Sequence, residues 1–316
     1  MDGWDRAGRV AGYAAALVMA PYLLIKVSWV AGSLAGLLPI GSSFGRTGWV
    51  VLNTATIGMS ALGILMALAL VRPWGMRLPG PLVAFVAWVG TGFLVPMLPY
   101  AVADSLLGSS SAGQPHQDGP AMPGWEAALI QTSFVGMGLG LAVALPAYLR
   151  RRWPNVFTGP TDEGGAGSTD EGRSRRGEWA AAAGTLVGLV WLYWAVGGTA
   201  GVAHPADRAA NWRVLTGVCG VWALTAAAAT WALGHGTTRL PRWVPLAFGW
   251  LGSGSLFAWS GWKLPFTLYL WTAHPHGASL PENPAVTIAL HAIAVTAGTV
   301  MLLTLTRTPA RLPVPS

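Results

Sequence analysis

The chain has 316 residues, of which 53% are hydrophobic and only 10% are charged, and its mean hydropathy is +0.49. A soluble domain carries about 25% charged residues, so this composition excludes an ordinary soluble domain and predicts a membrane protein. The net charge of +7 does not indicate a nucleic-acid-binding protein, because the arginines lie in short segments between apolar runs and form no basic face. The bias toward Ala, Gly, Trp and Arg is typical of a bacterial protein encoded by GC-rich DNA.

Eight apolar segments are long enough to cross a bilayer as helices. The first of them contains a single charged residue, Lys26. The predicted spans are residues 10–38, 49–71, 81–103, 125–149, 179–202, 213–233, 243–264 and 284–306. The predicted fold class is therefore all-α, a polytopic protein with eight transmembrane helices.

The distribution of arginine predicts the orientation of these spans. Only Arg46, Arg208 and Arg213 fall on one predicted side, and the other arginines fall on the opposite side. Positive residues favour the cytoplasmic side, so both termini are predicted to be cytoplasmic, in a bacterial cytoplasmic membrane. The first span has a counterpart later in the chain, which favours a permanent helix over a cleaved signal peptide.

An internal repeat is visible in the sequence. Residues 28–36 (SWVAGSLAG) align with residues 193–201 (YWAVGGTAG). Three further matches keep nearly the same offset: Trp49 with Trp212, residues 77–79 with 239–241, and residues 90–92 with 252–254. An even number of spans per repeat predicts two parallel four-helix repeats related by an axis near the membrane normal. The predicted organisation is a first repeat at 1–153, a linker at 154–178 and a second repeat at 179–316.

The segments between spans carry few apolar residues. Residues 155–177 are rich in Gly, Ser, Asp, Glu and Arg, which predicts a flexible cytoplasmic linker. Residues 108–124 are predicted to form a mobile outer loop. Just before the outer loops, residues 98–100 and 263–265 are predicted to begin short helices that lie along the outer surface.

The two lysines are the charged residues most suggestive of function. Lys26 and Lys263 both fall within spans near the predicted outer boundary, and neither is repeated in the other half. Charged residues in spans are costly and often mark ligand or ion pathways, which favours an anion site that opens outward. The alternative is that each long side chain carries its ammonium group to the interface without a further role.

Acidic and histidine side chains offer fewer candidates. Glu126, Glu282 and Asp104 lie at outer span ends, either as counter-ions for the lysines or as solvated helix-end carboxylates. His291 is the one histidine well inside a span and is interpreted as a buried hydrogen-bonding residue. His274 and a neighbouring His276 allow a metal site only with an unidentified third ligand, so no metal or other cofactor is assigned.

Several enzyme classes lack their usual motifs. The sequence contains no Walker A, Gly-x-Ser-x-Gly, His-Glu-x-x-His or Cys-x-x-Cys pattern, so ATP hydrolysis, serine hydrolysis, zinc proteolysis and dithiol chemistry have no support. The only cysteine, Cys219, lies in an apolar segment. Tryptophans such as Trp259 either anchor helices at the interface or line a hydrophobic cavity for a flat or lipidic ligand.

Residues 192–201 (LYWAVGGTAG) resemble the first-helix signature of small, uncharacterised four-helix bacterial membrane proteins. That signature is an aromatic residue, then Tyr-Trp-Ala, then Gly-Gly and Gly. The chain is similar to two such units fused, with a first copy that departs from the pattern at residues 27–29 and 32–33. The resemblance implies an architecture and no known activity.

Three functions are consistent with these observations. The first is a membrane carrier or binding protein for a small amphiphilic or anionic molecule, with an outward-opening cavity between the two halves. The alternatives are an intramembrane enzyme that acts on a lipid or isoprenoid and an accessory subunit of a membrane complex. The candidate ligand-binding residues are Lys26, Lys263, Trp29, Trp194, Tyr193, Trp259, His291 and Glu126.

Overall fold

The regular structure of the described residues is helical. The computed structural model describes residues 3–37, 45–106, 124–153, 171–235, 240–241, 243–273 and 280–306. Within these ranges lie eight long helices: α1 (Gly3–Leu34), α2 (Gly45–Val71), α3 (Gly80–Leu106), α4 (Gly124–Arg152), α5 (Glu171–Ala195), α6 (Ala210–His235), α7 (Trp243–Ala273) and α8 (Pro284–Thr306). The all-α fold class predicted from the sequence is confirmed for this part of the chain.

Six of the eight helices are long and apolar enough to cross a membrane, namely α1, α2, α3, α4, α6 and α8. The other two are less apolar for identifiable reasons. The first turns of α5 contain a cluster of Arg and Glu residues, and α7 contains Gly, Ser and several Trp residues together with Lys263. A multi-pass membrane protein therefore follows from the helices, whereas a count of eight spans stays a prediction.

The buried apolar side chains form two separate cores. One core lies among α1, α2, α3 and α4, with Leu70, Met137 and Tyr148 among its most buried members. The other lies among α5, α6, α7 and α8 and includes Leu256 and Met301. We call these groups of helices the first and the second four-helix unit.

The two units meet mainly where α3 packs against α7. A Cβ atom built on Gly92 would overlap the backbone carbonyl of Gly254, so the two backbones approach closely at this point. Beside it, the Trp88 indole donates a 3.1 Å hydrogen bond to Ser253 Oγ, and the Trp259 indole donates a 3.3 Å hydrogen bond to the Phe93 carbonyl. Close packing and polar contacts therefore fill the region between the units.

Proline does not end the third and seventh helices. α3 continues through Pro96 and Pro99 to Leu106, and α7 continues through Pro265 to Ala273. The prediction that short surface helices begin at residues 98–100 and 263–265 is therefore wrong. Proline is tolerated inside membrane helices because neighbouring groups and local adjustments satisfy the backbone carbonyls it leaves free.

The fifth helix ends earlier than its predicted span. α5 stops at Ala195, and Gly197 and Gly201 follow with φ angles of 112° and 79°, which are conformations that glycine adopts without steric cost. The residues from Gly197 to Thr199 therefore lie in the loop that follows α5.

The same helix begins earlier than predicted. α5 includes residues 171–178, which had been assigned to the linker, while 154–170 lie outside the described residues. The division into 1–153, 154–178 and 179–316 otherwise stays a prediction.

Candidate functional site

The first unit holds a lysine in an aromatic cage. The Lys26 ammonium donates a 3.0 Å hydrogen bond to Asn53 Oδ1 on α2, and Asn53 is itself buried. The same nitrogen lies 3.8 Å from the centre of the Trp29 ring and 5.6 Å from the centre of the Tyr22 ring. Such cation–π contacts stabilise an ammonium group inside an apolar environment.

Two further side chains complete this group. Trp49 stacks on Trp29 with ring centres 5.8 Å apart. Glu126, buried near the start of α4, interacts electrostatically with Lys26. We call the set of Lys26, Tyr22, Trp29, Trp49, Asn53 and Glu126 the Lys26 cluster. Its lysine is bound by the Asn53 side-chain oxygen and lies against two aromatic rings.

The second unit contains an ion pair between a lysine and a buried carboxylate. Lys263 Nζ lies 3.6 Å from Glu282 Oε1, and the side chain of Glu282 is only 4% exposed whereas that of Lys263 is 35% exposed. The Trp212 indole donates a 3.2 Å hydrogen bond to the same carboxylate oxygen. Of the two sequence interpretations of Glu282, the counter-ion is therefore the one observed.

A cavity of about 30 Å³ adjoins this ion pair. This volume exceeds the roughly 10–15 Å³ that one water molecule requires. Its wall combines a charged pair with indole rings and small polar groups: Trp191, Trp194, Leu215, Thr216, Cys219, Trp259, Lys263, Glu282 and His291. We call this the Glu282 cavity.

His291 forms the deeper polar part of the cavity wall. Its Nδ1 atom lies 3.0 Å from Ser260 Oγ, and both residues are buried. The Trp191 ring centre lies 5.8 Å from that of His291. The interpretation of His291 as a buried hydrogen-bonding residue agrees with this contact.

The loop between α5 and α6 contacts the segment before α8 and holds the residues around Glu282. The Asn283 amide donates a 3.0 Å hydrogen bond to the Gly201 carbonyl, and the Ala203 amide donates a 2.8 Å hydrogen bond to the Pro281 carbonyl. Val202 and Glu282 form an isolated antiparallel β-bridge. The backbone of Glu282 is therefore fixed by the loop while its carboxylate points toward the cavity.

The candidate residues divide between the Glu282 cavity and the Lys26 cluster. The candidates that line the cavity are Lys263, Trp194, Trp259 and His291. Those in the Lys26 cluster are Lys26, Trp29 and Glu126. The half-exposed Tyr193 instead accepts hydrogen bonds from the Thr199 and Ala200 amides through its hydroxyl oxygen. A role in ligand binding stays a prediction for each of them.

Sequence reasoning did not select two residues that line the cavity, Trp191 and Thr216. It also did not select Ser260, which contacts His291, and it noted Trp212, which donates to Glu282, only as a member of the repeat. The position of Trp212 within an aligned motif is the one signal that could have indicated it.

The Glu282 cavity lies within the second unit, where it is lined by residues of α5–α8 and by Glu282. The sequence predicts a cavity between the two halves, and that cavity stays a prediction. At one point between the halves, Gly92 lies in close contact with Gly254. Within the described ranges, no group of three His, Cys, Asp or Glu side chains is placed to hold a metal ion, and His274 and His276 lie outside those ranges.

The Glu282 cavity brings together an ammonium group, a carboxylate, an imidazole and several indole rings, a combination that suits recognition of a small polar headgroup with an apolar tail. Comparison of the chain with family models, with curated proteins and with solved structures gives no match.

Proposed function

We propose that all eight helices of this chain cross a bacterial cytoplasmic membrane, with both termini on the cytoplasmic side. α7 packs against α3, α6 and α8, and α5 packs against α6 and α8. The helices that they contact are each apolar enough to span a membrane. A helix flanked by spanning helices can be less apolar itself because its polar side chains face the bundle interior.

The two four-helix units derive from the duplication of one ancestral unit, and both cross the membrane in the same orientation. In support of this, Gly92 and Gly254 occupy corresponding positions of the aligned motifs and contact each other across the α3–α7 interface. Corresponding residues also recur in the two polar groups. Trp29 aligns with Trp194, which lines the Glu282 cavity. Trp49, in the Lys26 cluster, aligns with Trp212, which donates to Glu282.

Within this architecture, the chain is a carrier or binding protein for a small amphiphilic molecule. The observation that carries this function is the Lys263–Glu282 pair beside a cavity walled by Trp194, Trp259 and His291. Because the pair is neutral overall, Lys263 does not by itself create an anion site. A polar headgroup would replace one partner of the pair, and its apolar part would lie against the indole rings.

The single cysteine of the chain supplies a direct test. Cys219 lines the cavity, so a small methanethiosulfonate reagent applied to the full-length protein in lipid nanodiscs reports access to the site. We expect a panel of small amphiphiles to slow the modification of Cys219 and to raise the unfolding temperature. The Cys219→Ala variant defines the background of the labelling. If no member of the panel changes either the labelling rate or the unfolding temperature, this function is wrong.

A second candidate is an intramembrane enzyme that acts on a lipid or isoprenoid. The observation in its favour is that His291, hydrogen-bonded to Ser260, lines the same cavity as Lys263 and Glu282. These groups could donate and accept protons for a bound substrate. Mass spectrometry of native lipids incubated with wild-type protein and with a His291→Ala variant tests it. Identical lipid profiles would leave only the binding function.

A further inference from the structure

The fixed part of the Glu282 cavity is anionic. The Glu282 carboxylate is almost fully buried, accepts the Trp212 indole hydrogen bond and sits on a backbone bridged to Val202. Lys263, in contrast, is about one-third exposed and carries its ammonium group on a flexible four-carbon stem. The carboxylate is therefore built into the site, while the ammonium is the partner that can move away.

The aromatic wall has the same electrostatic preference. Trp191, Trp194 and Trp259 line the cavity next to the carboxylate. Aromatic rings attract cations through the negative potential of their faces, and tryptophan does so most strongly. A carboxylate combined with indole rings is the arrangement that recognises organic ammonium groups.

The nearby arginines do not reverse this preference. Arg208 donates a 2.6 Å hydrogen bond to the Gly198 carbonyl, and Arg213 Nε donates a 3.1 Å hydrogen bond to the Ala195 carbonyl. Both guanidinium groups thus bind carbonyls at the C-terminal end of α5, where the helix dipole is negative. Neither of these arginines lines the cavity.

The Lys26 cluster shows how such a site holds an ammonium group. There the Lys26 nitrogen lies 3.8 Å from the Trp29 ring centre and is bound by Asn53, with Glu126 near enough to interact electrostatically. In the sequence alignment, Lys26 corresponds to Trp191 of the second unit. The first unit therefore carries its own cation on its first helix, and the second unit has a tryptophan at that position.

We infer that the Glu282 cavity binds a primary alkylammonium compound, whose headgroup takes the place of the Lys263 ammonium at Glu282 while its apolar tail lies against the tryptophans. This inference rests on the proposed binding function and specifies the class of ligand. Departure of the Lys263 stem enlarges a cavity that is otherwise only about 30 Å³, so ligand binding and movement of Lys263 are coupled.

Binding of two matched probes to the full-length protein in nanodiscs tests the inference. n-Propylammonium reproduces the part of a lysine side chain beyond Cβ, and propionate is an anion of similar size. We expect calorimetric titration of the wild-type protein to show binding of n-propylammonium in preference to propionate. Slower modification of Cys219 in the presence of n-propylammonium would place the probe in the cavity.

Variants of the ion pair give specific expectations for n-propylammonium binding. Lys263→Ala removes the ammonium group that competes for Glu282 and frees the volume that the lysine stem occupies. If Lys263 occupies Glu282 for about nine-tenths of the time, this change strengthens n-propylammonium binding about tenfold. Glu282→Gln abolishes n-propylammonium binding. Gly90→Ala, at a position on α3 where a Cβ atom meets nothing within 4 Å, leaves n-propylammonium binding unchanged.

Opposite results would overturn the inference. Preferential binding of propionate, lost in Lys263→Ala, would show that the site binds anions and would leave the proposed binding function standing. If neither probe binds, and if no probe or amphiphile changes the labelling of Cys219 or the unfolding temperature, the inference and the proposed function are both wrong. If Glu282→Gln does not fold, the comparison of the two probes on wild-type protein still decides the question.

Discussion

The contact between α3 and α7 predicts a large difference between two neighbouring glycine substitutions. A Cβ atom on Gly92 would overlap the Gly254 carbonyl and lie 2.8 Å from the Ser255 amide nitrogen, whereas a Cβ atom on Gly90 would meet nothing within 4 Å. Both positions lie in the interior of α3. Gly92→Ala is therefore the perturbation, and Gly90→Ala is its matched control.

The magnitude follows from the geometry. Non-bonded heavy atoms pack at roughly 3.5 Å, so α3 and α7 must separate by about 1 Å to admit the methyl group on Gly92. Overpacking of this kind costs about 1–3 kcal/mol. Each substitution also gains up to about 1 kcal/mol from the higher helix propensity of alanine. That gain is common to the two variants, so the difference between them isolates the cost of separating the helices.

Reversible unfolding of the two variants in mixed detergent, followed by tryptophan fluorescence and circular dichroism, measures this difference. We expect Gly90→Ala to be as stable as the wild-type protein or slightly more stable. Gly92→Ala should be less stable than the control by about 1–3 kcal/mol. Equal stabilities within about 0.5 kcal/mol would show that α3 and α7 do not meet in this way.

Three further substitutions have expected effects on the free energy of unfolding. Arg152→Met removes hydrogen bonds of 2.7 Å to the Leu78 carbonyl and 3.0 Å to the Met76 carbonyl and should cost about 1.5–3 kcal/mol, which chemical unfolding would detect. Gly201→Ala forces alanine to a φ angle of 79° and should cost about 1–2 kcal/mol, measured as a lowered unfolding temperature. Ser260→Ala leaves the buried His291 Nδ1 without its contact and should cost about 1–3 kcal/mol in the same assay.

Long apolar runs made the helices predictable because the hydrophobic signal extends over more than 20 residues. The predicted span 284–306 coincides with α8 (Pro284–Thr306), and the predicted span 49–71 differs from α2 only at its first turn. The errors lie at the ends of helices, because a single proline or glycine can decide where a helix stops. The span predicted to end at residue 264 continues through Pro265. The span predicted to continue to residue 202 ends before Gly197.

The sequence predicted the charged residues of the candidate site and part of the cavity wall, namely Trp194, Trp259 and His291. A lysine in an apolar span is visible in any sequence because burial of a charge is expensive, and both Lys26 and Lys263 were selected for that reason. Their partners were harder to select. The sequence gives no indication that Asn53 on α2 binds Lys26 or that the Trp212 indole binds Glu282, since such contacts depend on how helices rotate against each other.

Lys263 was predicted to lie near the membrane interface because the predicted span ended at residue 264. A helix that ends at residue 264 would place Lys263 at its last turn, where the ammonium group reaches water easily. Because α7 continues to Ala273, Lys263 lies ten residues before its end, which corresponds to about 15 Å along the axis. At this position the Lys263 ammonium group meets the Glu282 carboxylate, which lies just before α8 begins. The charged pair on which the proposed site depends therefore forms in the interior of α7, before its proline, and not at a helix end.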